Sequence, residues 1–197
     1  MGTGLGRRTL KGIPYYPTPK EIYDSIIASS GWPYKHENPR LIARDRALVA
    51  LIYLGGLRVS EALRITKGQF MKREKDILIR SVELSKTKVR GKPRRIQFRE
   101  VQLPLDGERA PLTKLVMDYV GTLSEEELLF PVGGKRVWQI VTAILPGHTC
   151  HWLRAYCENY LYGVWNKDLL AVADYIKVDS RTLEQYIRRR HELYPTA

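Results

Sequence analysis

Residues 41–65, LIARDRALVALIYLGGLRVSEALRI, constrain this chain more than any other stretch. The run from Leu41 to Leu54 is apolar on nearly every side, which predicts a helix buried in the core rather than one lying on it. Gly55-Gly56 ends that helix, because glycine supplies the left-handed turn that closes a helix C-terminus. A second helix is predicted over about 58–65, and on it Arg58 and Glu61 share one face. Leu57, Leu63 and Ile65 surround the pair. An arginine among core residues must be paired or must bind an anion. Taken alone, Arg58 and Glu61 read equally well as a salt bridge at a helix end.

The 197 residues suit one large domain or two small ones. Charge is lopsided, with 33 Lys and Arg against 21 Asp and Glu, a net of +12. That excess suggests a polyanionic partner, most often nucleic acid. No apolar run reaches the length of a membrane span, and the positive N-terminus lacks the hydrophobic segment of a secretory signal. Cys150 and Cys157 are too few for a disulfide framework or a zinc site, so an intracellular protein with reduced thiols is expected.

Residues 1–17 are rich in glycine, proline and basic residues and read as a flexible arm or linker remnant, leaving 18–197 as the domain. Thr18, with Pro19 behind it and Glu21 three residues on, predicts a capped helix to about residue 30. DILIRSVEL and IQFREVQLPL alternate in strand fashion around SKTKVRGKPRR, predicting a β-hairpin or small sheet with a cationic tip. Helices are predicted at about 111–122, 135–145, 149–163, 166–177 and from Thr182 to His191. The fold class is therefore mostly α with a small antiparallel β-sheet.

The residue types suggest a chemistry. Splitting a phosphodiester needs a nucleophile, charge on the non-bridging oxygens and a proton for the leaving oxygen. Arginine suits the second task, because its planar fork binds two phosphate oxygens at once. Arg58 and Arg154 are the candidates, with Glu61 holding Arg58. His151, three residues before Arg154, points to the same side of a helix and suits hydrogen bonding to phosphate or proton transfer. Taken alone, it reads better as a satisfied structural histidine beside Trp152. Lys86, Lys88, Arg90, Lys92, Arg94 and Arg95 crowd the hairpin tip, where most serve only as backbone binders. One of the lysines suits a general acid. Tyr186 is one of 12 tyrosines, and composition does not single it out.

Together these pieces resemble the catalytic domain of tyrosine recombinases, the phage-type integrases and chromosome-dimer resolving enzymes, over about residues 18–190. RDRALVALIYLGGLRVSEALRI resembles the family's first arginine motif, and HWLRAYCENYL its His-x-x-Arg motif. Tyr186 follows Arg154 by 32 residues, a spacing common in the family. The resemblance implies that Tyr186 attacks a DNA phosphate to form a 3′-phosphotyrosyl link, that Arg58 and Arg154 clamp the phosphate, and that Lys86, or next Lys88, protonates the leaving 5′ oxygen. It implies double-stranded DNA as partner, a homo-oligomer (a tetramer on DNA), and no metal, ATP or other cofactor. It also implies that the basic tail after Tyr186 docks on a neighbouring subunit.

Three departures stand out. Lys177 occupies the position nine residues before the tyrosine where the family has His or Trp, which suits a divergent branch, archaeal or viral. A lysine there still donates to a phosphate oxygen. Trp152 stands where the family commonly has Asp. About forty residues before the RD helix are too few for the usual N-terminal DNA-binding domain, implying a catalytic fragment or a minimal enzyme. Two other readings stay open: a type IB-like topoisomerase, and a DNA-binding paralogue with weakened catalysis.

Overall fold

The computed structural model describes residues 17–29, 38–84, 96–184 and 187. Residues 1–16 of the expected arm, the expected hairpin-tip residues Lys86, Lys88, Arg90, Lys92, Arg94 and Arg95, the nucleophile candidate Tyr186 and the residues after 187 lie outside them.

The core is built around α2 (Pro39–Gly55), in which residues 47–55 are all buried. Apolar on every side over residues 47–55, this helix is the axis that the rest surrounds: α1 (Pro19–Ala28), α4 (Ala110–Val120), α5 (Gly134–Ile144) and α6 (Cys150–Val164) pack against it, and so does one sheet edge. The expected capping box starts α1, with Thr18 Oγ1 accepting from the Glu21 N–H at 3.2 Å and Glu21 accepting from the Thr18 N–H at 2.7 Å. A short α3 (Val59–Ala62) follows α2, and α7 (Leu169–Ile176) follows α6. Residues 180–184 begin a further helix, whose Arg181 N–H is capped by the Asp179 carboxylate at 2.9 Å. Its start falls two residues before the expected Thr182, because Asp179 is the stronger cap.

Among the described residues, the sheet has three antiparallel strands in the order β1 (Phe70–Lys72), β2 (Asp76–Glu83), β3 (Phe98–Pro104). The alternating segments form β2 and β3 as expected. The sequence reading missed β1, which at three residues is too short to show a period. Ile77 faces Leu103 and Ile79 faces Val101, turning these side chains toward the helices. A register shift follows between Ile79 and Val82, with Ser81 at φ 53°. This bulge keeps Val82 on the buried face although it lies three residues after Ile79. Opposite Val82 is Arg99, also inward.

The architecture is the expected mixture, mostly helical with one small antiparallel sheet. Among the described residues, no helix is long and apolar enough to cross a membrane.

Candidate active site

The site begins where α2 ends. Gly56 adopts the left-handed conformation (φ 55°, ψ 40°), and the Gly56 and Leu57 N–H groups donate back to the Tyr53 and Ile52 carbonyls at 3.3 and 3.1 Å. A Cβ on Gly56 would meet Ile176 Cδ1 at 2.6 Å, so the position needs glycine for its space as well as its φ. The carbonyls of Leu54, Gly55 and Gly56 remain to be satisfied, and three buried arginines collect them. Arg109 Nη2 donates to Leu54, Arg99 Nη2 to Gly55 at 2.7 Å, and Arg154 Nη1 to Gly56 at 2.7 Å. Cations here also meet the negative end of the α2 dipole.

Two residues later comes Arg58. It precedes α3 rather than lying inside it: its backbone is extended (φ −74°, ψ 153°), and α3 spans only Val59–Ala62. The expected helix over 58–65 is thus corrected to a single turn, and Arg58 meets Glu61 as a cap rather than across a helix face. Glu61 accepts from the Arg58 N–H at 2.9 Å and from Arg58 Nη1 at 2.8 Å. The Glu61 carboxylate is fully buried, and its Oε2 also lies 3.8 Å from Arg154 and 3.9 Å from Arg99. Burial pushes its pKa up, but the Arg58 hydrogen bonds and the Arg99 and Arg154 charges outweigh that, so the pKa stays below the ordinary value.

Arg154 is oriented on all sides. Its Nε donates to Glu158 at 3.0 Å and its Nη2 to the Ile176 carbonyl at 3.2 Å. Burial first, then the nearby Arg58, lowers its pKa against the pull of Glu158 and Glu61, yet arginine remains charged at neutral pH. Glu158 is itself pushed up by burial, against the opposing pull of Arg154.

Arg58 and Arg154 line one cleft of about 340 Å³, together with His151, Thr149, Cys150 and Trp138. The Arg58 side chain is 24% exposed and the Arg154 side chain 5%, so one arginine projects into the cleft and the other forms its wall. His151 is exposed at the start of α6. Burial raises the Cys150 thiol to about 11, which keeps it protonated. Trp152 is half-buried against Tyr156, with ring centroids 6.0 Å apart.

Lys177 is not among the residues lining this cleft. It caps α7 in the left-handed conformation (φ 57°, ψ 57°), with Nζ 2.6 Å from Asp174 Oδ1. It directly follows Ile176, whose carbonyl Arg154 holds.

Three features of the site escaped the sequence reading. Arg99 and Arg109 gave no signal beyond two more basic residues. Trp138, 53% exposed at the cleft, was legible in principle. Val137, Ile140, Val141 and Ile144 form the buried stripe of α5, and Trp138 falls outside it.

No protein-family model matches the chain, and no curated protein matches it. Solved structures do. The XerH site-specific recombinase bound to palindromic difH substrate, in a post-cleavage complex, aligns at TM-score 0.63 and 19% identity, covering 88% of this chain and 49% of that one. The same recombinase bound to difH substrate in a pre-cleavage complex aligns at TM-score 0.64 and 19% identity, covering 91% and 52%. The fold is that of the tyrosine-recombinase catalytic domain. The chain spans about half the length of the XerH chains it matches.

Proposed function

We propose that this chain is a site-specific DNA recombinase or integrase that cleaves and rejoins double-stranded DNA through a 3′-phosphotyrosyl intermediate. One observation carries the reading: Arg58 and Arg154, far apart in sequence, line one cleft with His151, and both lie against the buried carboxylate of Glu61. The recombinase fold and the net charge of +12 support DNA as the substrate.

In this reading the Tyr186 phenol oxygen attacks phosphorus. The bond to O5′ breaks as the new phosphotyrosine bond forms, so no external energy source is needed. Arg58 and Arg154 neutralise the charge that grows on the non-bridging oxygens, the task a metal performs in other phosphoryl transfers. His151 hydrogen-bonds the phosphate or takes the phenol proton. Lys86, or next Lys88, protonates O5′, and Lys177 gives a further hydrogen bond to the phosphate. Glu61 keeps both arginines in place. The tip residues Arg90, Lys92, Arg94 and Arg95 contact the backbone. Attack by another 5′ hydroxyl on the phosphotyrosine then completes exchange, within a homo-oligomer on DNA inside the cell.

Incubation with nicked duplex followed by a denaturing gel tests this. The wild type is expected to give a covalent protein–DNA adduct that Tyr186→Phe abolishes while binding is retained. An adduct that persists in Tyr186→Phe removes Tyr186 as the nucleophile.

A second reading, a DNA-binding paralogue with weakened catalysis, is favoured by Lys177 pairing with Asp174 instead of lining the cleft. Tight binding with no adduct from the wild type would select it.

A further inference from the structure

The alternation of β3 places Arg99 on the same face as Val101 and Leu103, the face turned to the core. A charge at such a position is costly, and an apolar side chain of similar volume would fill the space without that cost. Only 1% of the Arg99 side chain is exposed. Its partners show what the position achieves. Nη2 donates to the Gly55 carbonyl at 2.7 Å and the Gly56 carbonyl at 3.3 Å, and lies 3.9 Å from Glu61 Oε2. Nη1 donates to the Tyr175 carbonyl at 3.3 Å, and the guanidinium sits 5.8 Å from the centre of the Tyr175 ring. Tyr175 is itself fixed, since its hydroxyl accepts from the Gln102 N–H at 2.9 Å on the same strand.

We propose that Arg99 is a positioning residue for the phosphate-binding arginines: it fastens the turn that presents Arg58, and the carboxylate shared by Arg58 and Arg154, to the sheet and to α7. It does not line the cleft, so it acts through other groups. Arg99 and Arg154 share one acceptor, the Gly56 carbonyl, and one counter-charge, the Glu61 carboxylate. Any movement of Arg99 therefore displaces the anchor points of Arg154. The same arginine reaches the Tyr175 carbonyl, one residue before the Ile176 carbonyl that Arg154 holds. Arg99 and Arg154 thus tie α7 to the α2 terminus side by side. Small displacements of such anchors matter, since a misplacement of about 1 Å can lower a rate on the order of 10²-fold. A fork that reaches carbonyls on two elements at once is a task lysine performs only in part.

The inference rests on the reaction proposed above, and two readouts keep the two ideas separable. Wild type, Arg99→Lys and Arg99→Met are first titrated with inorganic phosphate while the Nε–H NMR signals of Arg58 and Arg154 are followed. Covalent capture on nicked duplex is then timed in each. Arg99→Met is expected to weaken phosphate binding at the cleft about tenfold and to slow capture on the order of 10²-fold, with Arg99→Lys between it and the wild type. Wild type that shifts with phosphate in this order but forms no adduct would overturn the reaction and uphold the positioning role. A folded Arg99→Met within twofold of wild type in phosphate binding would overturn the positioning role. Where Arg99→Met fails to fold, Arg99→Lys decides on the same terms, and phosphate binding unchanged from wild type sinks the inference.

Discussion

Arg154 Nη1 donates to the carbonyl of Gly56 at 2.7 Å, across 98 positions of sequence, and so fastens the first turns of α6 to the turn that presents Arg58. The guanidinium of one motif is thereby fastened to the backbone of the other. Replacing Arg154 by alanine would leave the Glu158 carboxylate and two carbonyls short of a donor, and the Glu61 carboxylate short of a neighbouring positive charge. Breaking a buried charge pair from one side typically costs about 3–5 kcal/mol. Arg154→Ala is therefore expected to lower unfolding stability by about that amount, measured by urea denaturation, besides any loss of chemistry. Arg154→Lys is expected to lose less, because a cation remains near both carboxylates.

Acid sensitivity follows from Glu61. Its folded pKa is held below the ordinary value, so its charge stabilises the fold at neutral pH, and that contribution is lost as pH falls from the ordinary carboxylate range, about 4, through the folded value. Glu158 runs the other way. Burial raises its pKa, so ionising it costs stability as pH rises through the raised value, and protonation removes that cost as pH falls. Urea midpoints collected between about pH 3 and 6 should fall toward acid in the wild type, with a shallower fall in Glu61→Gln. An unchanged acid slope in Glu61→Gln would show that the carboxylate is not held charged as described.

The sequence exposed those parts of this arrangement that depend on near neighbours. The Thr18 and Glu21 cap, the apolar run of α2, the glycine turn and the alternation of β2 and β3 are each set by residues a few positions apart. The geometry of Arg58 was harder to read. Its distance from Glu61 suited a shared helix face and a salt bridge at a helix end equally, and α3 begins only at Val59, which leaves Arg58 at its N-cap. Arg99 and Arg109 were illegible, because their partners are main-chain carbonyls of α2 more than forty positions away. A carbonyl has no letter in a sequence, so no spacing announces it. Lys177 shows the same limit. The motif places it by distance from Tyr186, but its present partner is fixed by the local turn at the end of α7.

Gly56 offers a test of that turn. An added methyl group must adopt φ 55° and meets Ile176 Cδ1 at 2.6 Å and Cys157 Sγ at 3.3 Å. Left-handed backbone costs a non-glycine residue about 1–2 kcal/mol, and overpacking a core adds about 1–3 kcal/mol. Gly56→Ala is expected to destabilise by the sum of these. Because Ile176 also carries a carbonyl held by Arg154, phosphate binding at the cleft should weaken in the same variant. Thermal unfolding and phosphate titration check the two effects separately.

Lys177 allows stability and chemistry to be pulled apart. As a non-glycine residue at φ 57° it strains the end of α7, and glycine there would relieve up to about 1 kcal/mol. The lost pair with Asp174 subtracts little, since the two side chains are 40% and 81% exposed and such pairs contribute about 0–1 kcal/mol. Lys177→Gly is therefore expected to unfold at the same or higher urea concentration than the wild type. If its ammonium reaches the scissile phosphate during reaction, the same variant slows covalent capture about tenfold, within the range of a lost hydrogen bond. Asp174→Asn weakens the ammonium's present hold and is expected to leave capture at or above the wild-type rate. Capture unchanged in Lys177→Gly would confine Lys177 to its helix end and leave the phosphate to the arginines and His151.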